Sequence, residues 1–264
     1  MKPLKRWRWW RLDRQRGQLA LTPNPLARRL PSPATPVSQA PMLAIDLEMT
    51  GLAPDRDAII TIGWVPIEHG RILLEQACEI AIGDDIGNTT DNSIGNSIGN
   101  QASPSVGHSA TIHGIRDCDR GDGVPLRQAL LELLNALAGR VAVFHHAPLD
   151  LAFLKRALAR ELAIGWPAPV LDSLAWYRHR RLRRESELPG IETALDAVRD
   201  HYGLPVRSGH SALADALSCA EVVLILANRS GARLEDTCQV PRLRTGRAVQ
   251  TSKRSGGSPD EPSG

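Results

Sequence analysis

The segment "AIDLEMTGL" (44–52) sets two carboxylates, Asp46 and Glu48, inside an apolar run. At positions i and i+2 of a strand, side chains leave the same face. Two anions on one face of a buried strand repel each other and lose hydration. A divalent cation such as Mg²⁺ or Mn²⁺ removes both costs, because these ions favour carboxylate oxygens. The plainer reading is a half-exposed strand with two solvated acids, Leu43, Ile45 and Leu47 facing the other way and Ala44 beside the acids.

Two later segments carry residues of matching chemistry. "VFHHAPLDLAFL" (143–154) puts Asp150 just inside a helix that follows an apolar strand. An acid there also suits the helix dipole with no ligand at all. "GHSALADAL" (209–217) puts His210 at a loop-to-helix junction and Asp215 five residues on. Helical geometry sets Asp215 on the apolar face near Ala212 and Leu217, where an unpaired carboxylate is expensive. Alternatively, His210 caps the helix and Asp215 is solvated.

The elements that must position these residues follow an α/β pattern. Strands are expected at 42–48, 58–67 and 71–82, with a hairpin turn at "EHG" (68–70) joining the last two. Helices at 125–139 and 149–163 flank a strand at 140–146, and a short strand at 169–172 runs into "SLAWYRHRRLRR". Helices at 191–203 and 211–229 complete the pattern. Three strands followed by alternating helix and strand imply a mixed sheet with helices packed on it. The segment 83–107 repeats I-G-N-(S/T) without core periodicity and reads as a low-complexity, disordered insertion at a hairpin or strand end. Residues 1–40 read as a flexible basic arm with a short helix at 4–16, residues 41–232 as the folded domain, and 233–264 as a disordered tail.

Composition excludes some classes. With 42% hydrophobic and 23% charged residues, the 264-residue chain has the balance of a soluble globular protein. No run of about 18 apolar residues suits a membrane span. The basic N-terminus has no apolar stretch behind it, as a secretory signal would. Four scattered cysteines without a C-x-x-C pair argue against a cysteine zinc site or a disulfide framework, and a reducing cytoplasm is the expected location. Charge is split along the chain. Residues 1–40 carry nine Lys/Arg against one acid, 41–239 carry 18 against 26, and 240–264 carry five against two. An acidic body suits a polyanionic partner only if bound cations offset part of its charge.

Taken together, Asp46-x-Glu48, Asp150 and His210-x₄-Asp215 follow the order and spacing of the DEDDh family of 3′–5′ exonucleases. Over about residues 42–229 the chain resembles the branch that includes the epsilon proofreading subunit of bacterial DNA polymerase III. "TGL" after the first acids, "IITIG", "IHGI" (112–115), "HAPLDLAFL" and "LPVRSGHSALADAL" carry the likeness. The resemblance implies a ribonuclease H-like fold with a five-stranded mixed sheet flanked by helices. It implies that Asp46, Glu48, Asp150 and Asp215 bind two divalent ions, Mg²⁺ or Mn²⁺, with His210 as general base. It maps substrate contacts onto the main chain of Met49 and Thr50 and onto His113. The substrate implied is the 3′ end of a nucleic acid, single-stranded DNA favoured and RNA also compatible, hydrolysed to nucleoside 5′-monophosphates. A polymerase or other protein partner is implied for any proofreading role. The chain departs from the pattern at His146, where relatives often have Asn, at Leu149, where they often have Phe, at Trp64, where a small residue is usual, and in the 83–107 insertion.

Two other readings stand beside this one. "DLEMTGL" with "RDAII" also resembles oligoribonuclease, which degrades very short RNA; "IHGI" and "HAPLDLAFL" favour the epsilon-like branch. A non-catalytic nucleic-acid-binding scaffold on the same fold would usually lack one of the five side chains, and all five are present. In the arm, Arg6, Arg8 and Arg11 interleave with Trp7, Trp9 and Trp10, a pattern compatible with single strands, an anionic membrane, a partner protein or a solvated tail. "RHRRLRR" (178–184) reads as a solvated helix face, and Trp166 and Trp176 as packing residues.

Overall fold

The computed structural model describes residues 3–83, 123–183, 194–205, 207 and 210–243. Six strands form one mixed sheet: β1 (Met42–Met49), β2 (Ile59–Glu68), β3 (Arg71–Ile72), β4 (Cys78–Ala81), β5 (Val141–Phe144) and β6 (Val170–Asp172). The order is β3-β2-β1-β5-β6, with β4 also paired to β2. β2 runs antiparallel to β1, β3 and β4, whereas β1, β5 and β6 are parallel. β5, flanked on both edges, is buried at every position, as a central parallel strand must be.

The five-stranded expectation is corrected to six because the run at 71–82 is not continuous. Leu74–Gln76 winds into a 3₁₀ turn between β3 and β4. β3 pairs with Ile67 and Glu68 of β2, and β4 pairs with Thr61 to Trp64. At Pro66 the ladder is interrupted. Its carbonyl takes the Leu73 N–H at 2.9 Å, but proline has no N–H to return.

The helices are α1 (Pro3–Arg16), α2 (Leu126–Ala136), α3 (Pro148–Leu162), α4 (Ser173–Leu182), α5 (Leu195–His201), α6 (Ala212–Ser230) and the single turn α7 (Leu234–Thr237). α2 buries Ala129, Leu130, Leu133 and Leu134, the i, i+1, i+4, i+5 stripe of an amphipathic helix. α3 starts with Pro148, whose missing N–H is not needed in the first turn. α6 packs across β1 and β2, where Ala216 and Leu217 meet Val65 and Ala77. Trp166 and Trp176 are buried, as expected of packing residues.

The N-terminal segment differs from the flexible arm expected. Its helix spans Pro3–Arg16, but Trp9 and Leu12 are buried, as are Leu19, Leu26, Leu30 and Val37 further on. Trp9 Nε1 donates to Pro31 O at 3.0 Å, and Lys5 Nζ donates to Glu235 O at 3.0 Å. The segment is therefore a layer of the domain. The C-terminal boundary also moves outward: Leu234, Cys238, Val240 and Leu243 are buried, and Gln239 bridges to Val170 at the sheet edge. Residues 244–264 of the expected tail, and all of the 83–107 insertion but Gly83, lie outside the described residues. The chain leaves and returns at one place, because Gly83 N donates to Val124 O at 3.0 Å and Val124 N to Ala81 O at 2.9 Å.

Cys219 and Cys238 are buried free thiols. No described helix is long and apolar enough to cross a membrane.

Candidate active site

Asp46 and Glu48 lie near the C-terminal end of β1, half-buried and on one face, while Leu47 between them is buried on the other. Asp46 stands directly across from Gly63 of β2. A Cβ on Gly63 would sit 2.2 Å from the Ala212 carbonyl carbon and 2.3 Å from Leu213 N. The first turn of α6 thus rests on the bare backbone of β2, on the face that carries the two acids. Glu79 of β4 holds it there, its Oε1 accepting the Leu213 N–H at 2.9 Å. This close approach brings Asp215 to β1. One carboxylate oxygen each from Asp46, Glu48 and Asp215 lies within 4.8 Å of the others.

Asp150, in the first turn of α3, is buried and near enough for its charge to act on Asp46. Asp172, at the junction of β6 and α4, locks that turn in place. Its carboxylate accepts the N–H groups of His146 at 3.2 Å, Ala147 at 3.1 Å and Ala175 at 3.0 Å, the last being the N-cap bond of α4. His146 has φ +67°, a left-handed conformation in which Asn is several-fold enriched. His is enriched there too, so the residue present suits the backbone geometry. Beside it, His145 Nδ1 lies 2.8 Å from Ser173 Oγ.

The four acids share an unfavourable field. Burial raises the Asp46 carboxyl to about 9, and the negative charges of Asp150, Asp215 and Glu48 add to the effect. Burial likewise raises Asp150 to about 7, with Asp172 and Glu48 contributing and backbone hydrogen bonds opposing. Glu48 is raised by burial and by Asp215, with His210 opposing. Asp215 is raised by burial and pulled back by His210. Without a cation, such a cluster holds protons at neutral pH. A cluster of carboxylate oxygens at this spacing is the donor set that hard divalent cations prefer. The residues present therefore fit a metal centre.

His210 Nδ1 lies 3.6 Å from Asp215 Oδ2, and its side chain is 79% exposed. It does not cap α6. Ser211 does so, with its Oγ accepting the Ala214 N–H at 3.2 Å. The segment leading to His210 is held by a second charged cluster. Glu221 of α6 accepts from the buried Arg199 and, at 2.8 Å, from Arg207, while Arg199 also donates to Pro205 O at 2.8 Å.

Met49 and Thr50 follow a register shift in the β1–β2 ladder between Glu48 and Met49. Thr50 N–H is donated to Ala58 O at 3.0 Å, and Thr50 Oγ1 accepts the Ala58 N–H at 2.9 Å. A further main-chain contact at Thr50 thus falls to its carbonyl. His113 lies outside the described residues. Trp64 stands across from Ile45, on the face of the sheet away from the acids, so this departure touches the core and not the site.

Gly63, Glu79 and Asp172 were not singled out from sequence. A glycine inside a strand is a signal of close backbone approach, and Asp before Ser at a strand-to-helix junction is an N-cap signal. Glu79 had no comparable mark.

The central strand β1 carries two of the four carboxylates and the helices α3 and α6 carry one each, an arrangement that fits an exonuclease domain of ribonuclease H-like fold. The chain belongs to the RNase_T exonuclease family, whose profile matches residues 43–223. It is 29% identical over 201 residues to the PolC-type DNA polymerase III of Thermotoga maritima, covering 76% of this chain and 13% of that protein. It is 28% identical over 197 residues to the DNA polymerase III subunit epsilon-like protein of Rhodobacter capsulatus, covering 73% of this chain and 24% of that one. The chain thus spans a small part of the length of these relatives. Among solved structures, exonuclease I of Methylocaldum szegediense superposes with a TM-score of 0.51 at 14% identity, over 72% of this chain and 41% of that one. Exonuclease I of E. coli in complex with a dA16 oligonucleotide gives 0.50, also at 14% identity, over 75% and 42%. At these identities the structures support the fold alone.

Proposed function

We propose that this chain is a metal-dependent 3′–5′ exonuclease domain that hydrolyses single-stranded DNA ends to nucleoside 5′-monophosphates. The observation that carries the reading is the 4.8 Å cluster of Asp46, Glu48 and Asp215 oxygens, with buried Asp150 close enough to raise the Asp46 carboxyl. Asp46, Glu48, Asp150 and Asp215 would hold two ions, Mg²⁺ or Mn²⁺. When bound, these would lower the pKa of the attacking water and offset charge on the phosphate. His210 takes the proton from that water at an imidazole nitrogen, a role that suits a ring open to solvent beside a carboxylate. Asp215, beside Nδ1, orients the ring and stabilises the imidazolium that forms. The water oxygen bonds to phosphorus as the bond to the 3′-oxygen breaks, and that oxygen leaves to take a proton from solvent. The main chain at Met49 and Thr50, together with His113, would contact the terminal nucleotide.

DNA is favoured over RNA because the relatives covering this domain are DNA polymerase III chains. The same relatives support a polymerase as protein partner, and a cytoplasmic location follows from that role. A 5′-labelled single-stranded DNA 20-mer and its RNA counterpart, incubated with Mn²⁺, Mg²⁺ or EDTA, test the reading. The expected result is a ladder shortening from the 3′ end, faster on DNA and absent in EDTA. Immediate loss of the label as mononucleotide, or equal hydrolysis in EDTA, would overturn it.

A further inference from the structure

α1 carries six basic residues and one acid over Pro3–Arg16 and is anchored to an otherwise acidic body. Its inward face is used up in packing, since Trp9, Leu12 and Arg16 are all buried. Arg6 pairs with Glu235 at 3.3 Å, and Asp13 Oδ1 accepts the Leu30 N–H at 2.9 Å. On the opposite side, Trp7, Trp10, Arg11 and Arg14 form one stripe at i, i+3, i+4 and i+7. Trp7 is 53% and Trp10 58% exposed, the only aromatic side chains among the large hydrophobics exposed in the described residues. Each indole has a guanidinium one turn ahead: Arg11 stands 5.3 Å from the Trp7 ring centre and Arg14 stands 5.8 Å from that of Trp10.

We propose that this stripe is a binding platform for the single-stranded stretch of nucleic acid behind the 3′ end. The proposal deepens the nuclease reading and rests on it for its purpose. Flat aromatic faces stack on bases of any identity, and neighbouring arginines meet the phosphates between them. Charge complementarity singles out a polyanion, because the body spanning 41–239 is acidic while α1 is basic. An anionic membrane suits the helix less well. A helix lying in a membrane interface buries a broad apolar face, whereas Trp9 and Leu12 of α1 are packed into the domain and the exposed stripe sets two indoles among arginines. Because α1 is hydrogen-bonded to the body at several points, the stripe is presented already ordered, which lowers the entropic cost of binding.

The test uses the full chain, with fluorescence anisotropy of labelled dT20 in EDTA, so that binding is read without hydrolysis. Trp7→Ala/Trp10→Ala should weaken dT20 binding by about tenfold or more, the loss of two stacked bases. Arg11→Ala/Arg14→Ala should flatten the slope of log Kd against log salt by about 1.4, for two phosphate contacts on a single strand. A platform that serves the strand behind the 3′ end acts on long substrates, so hydrolysis of dT3 with Mn²⁺ should stay within twofold of wild type in both variants. Unchanged dT20 binding in both variants would overturn the proposal. So would an equal loss on dT3 and dT20, or co-sedimentation with phosphatidylglycerol vesicles in place of dT20 binding. Failure of the wild type to hydrolyse dT3 or dT20 would count against the nuclease reading, while the anisotropy would still report on the stripe.

Discussion

Helix α6 carries two charged clusters that are built on opposite principles. At Glu221, six residues beyond Asp215, an anion is matched by two cations, and the buried Arg199 is held by both Glu221 and the Pro205 carbonyl. At Asp215, in the first turn, carboxylate is set against carboxylate, with the exposed His210 imidazole beside it. The first arrangement satisfies itself and fixes the segment that carries His210. The second stores repulsion that only protons or an outside cation relieves. At Glu221 charge is matched by opposite charge, and at the site like charges are set together.

Substitutions that remove a charge should therefore act in opposite directions on stability. Asp46→Asn should lower exonuclease activity on the order of a thousandfold or more, as loss of a transition-state charge partner does. It should raise the melting temperature in EDTA at neutral pH, because Asn enters the cluster uncharged without having to take up a proton on folding. Glu221→Gln should instead destabilise by about 3–5 kcal/mol, because it leaves Arg199 buried and unmatched. Denaturant titration and calorimetry of both variants would check the contrast. If both lost stability equally, the two clusters would not differ in the way described.

Gly63→Ala sharpens the comparison through geometry. Its Cβ would meet the α6 backbone at 2.2 Å, and backbone cannot swing aside as a side-chain tip can. A loss of about 1–3 kcal/mol is expected from overpacking. Activity should fall further than that of a stability-matched core variant, because α6 carries Asp215 away from β1. Single-turnover rates at saturating Mn²⁺ would show it.

The pH dependence follows from the raised carboxyls. Asp46 at about 9 and Asp150 at about 7 lie above the unfolded value of about 3.9. The folded state therefore holds protons that the unfolded state has released. Their contribution to stability is complete below about pH 4 and is lost as pH rises through about 7 and then 9. In EDTA the melting temperature should fall across that range, and the rise produced by Mn²⁺ should grow with pH, as ions replace protons.

The smallest effect is expected at Arg16, where a guanidinium is fully buried with Asp13 3.9 Å away and no hydrogen-bond partner among the described residues. Burial lowers its pKa to about 10. Arg16→Met should change stability by no more than about 1 kcal/mol, or improve it. A large loss in denaturant titration would mean that the charge has a role that its surroundings do not show.

How much of this could be read from sequence divides along physical lines. The convergence of Asp46 and Glu48 was legible because strand periodicity fixes side-chain direction, and that of Asp215 because helical periodicity does. The mixed sheet with helices packed on it was implied by three strands followed by the alternation after residue 125. The break in the 71–82 run was not legible, since it depends on Pro66 of a neighbouring strand facing that edge. The packing of α1 was hidden because Trp9 and Leu12 are scattered among charges, so the helix has almost no amphipathic pattern. Gly63, Glu79 and Asp172 act through contacts with distant segments, which no local spacing encodes.

Calorimetric titration of metal-free protein with Mn²⁺ at pH 8 bears most directly on the idea that α6 and β1 hold like charges together for cations. Wild type and Glu221→Gln should each take up two ions per chain with release of protons, while Asp46→Asn loses at least one of them. Binding of no Mn²⁺ by the wild type, or the same uptake by Asp46→Asn, would contradict the account.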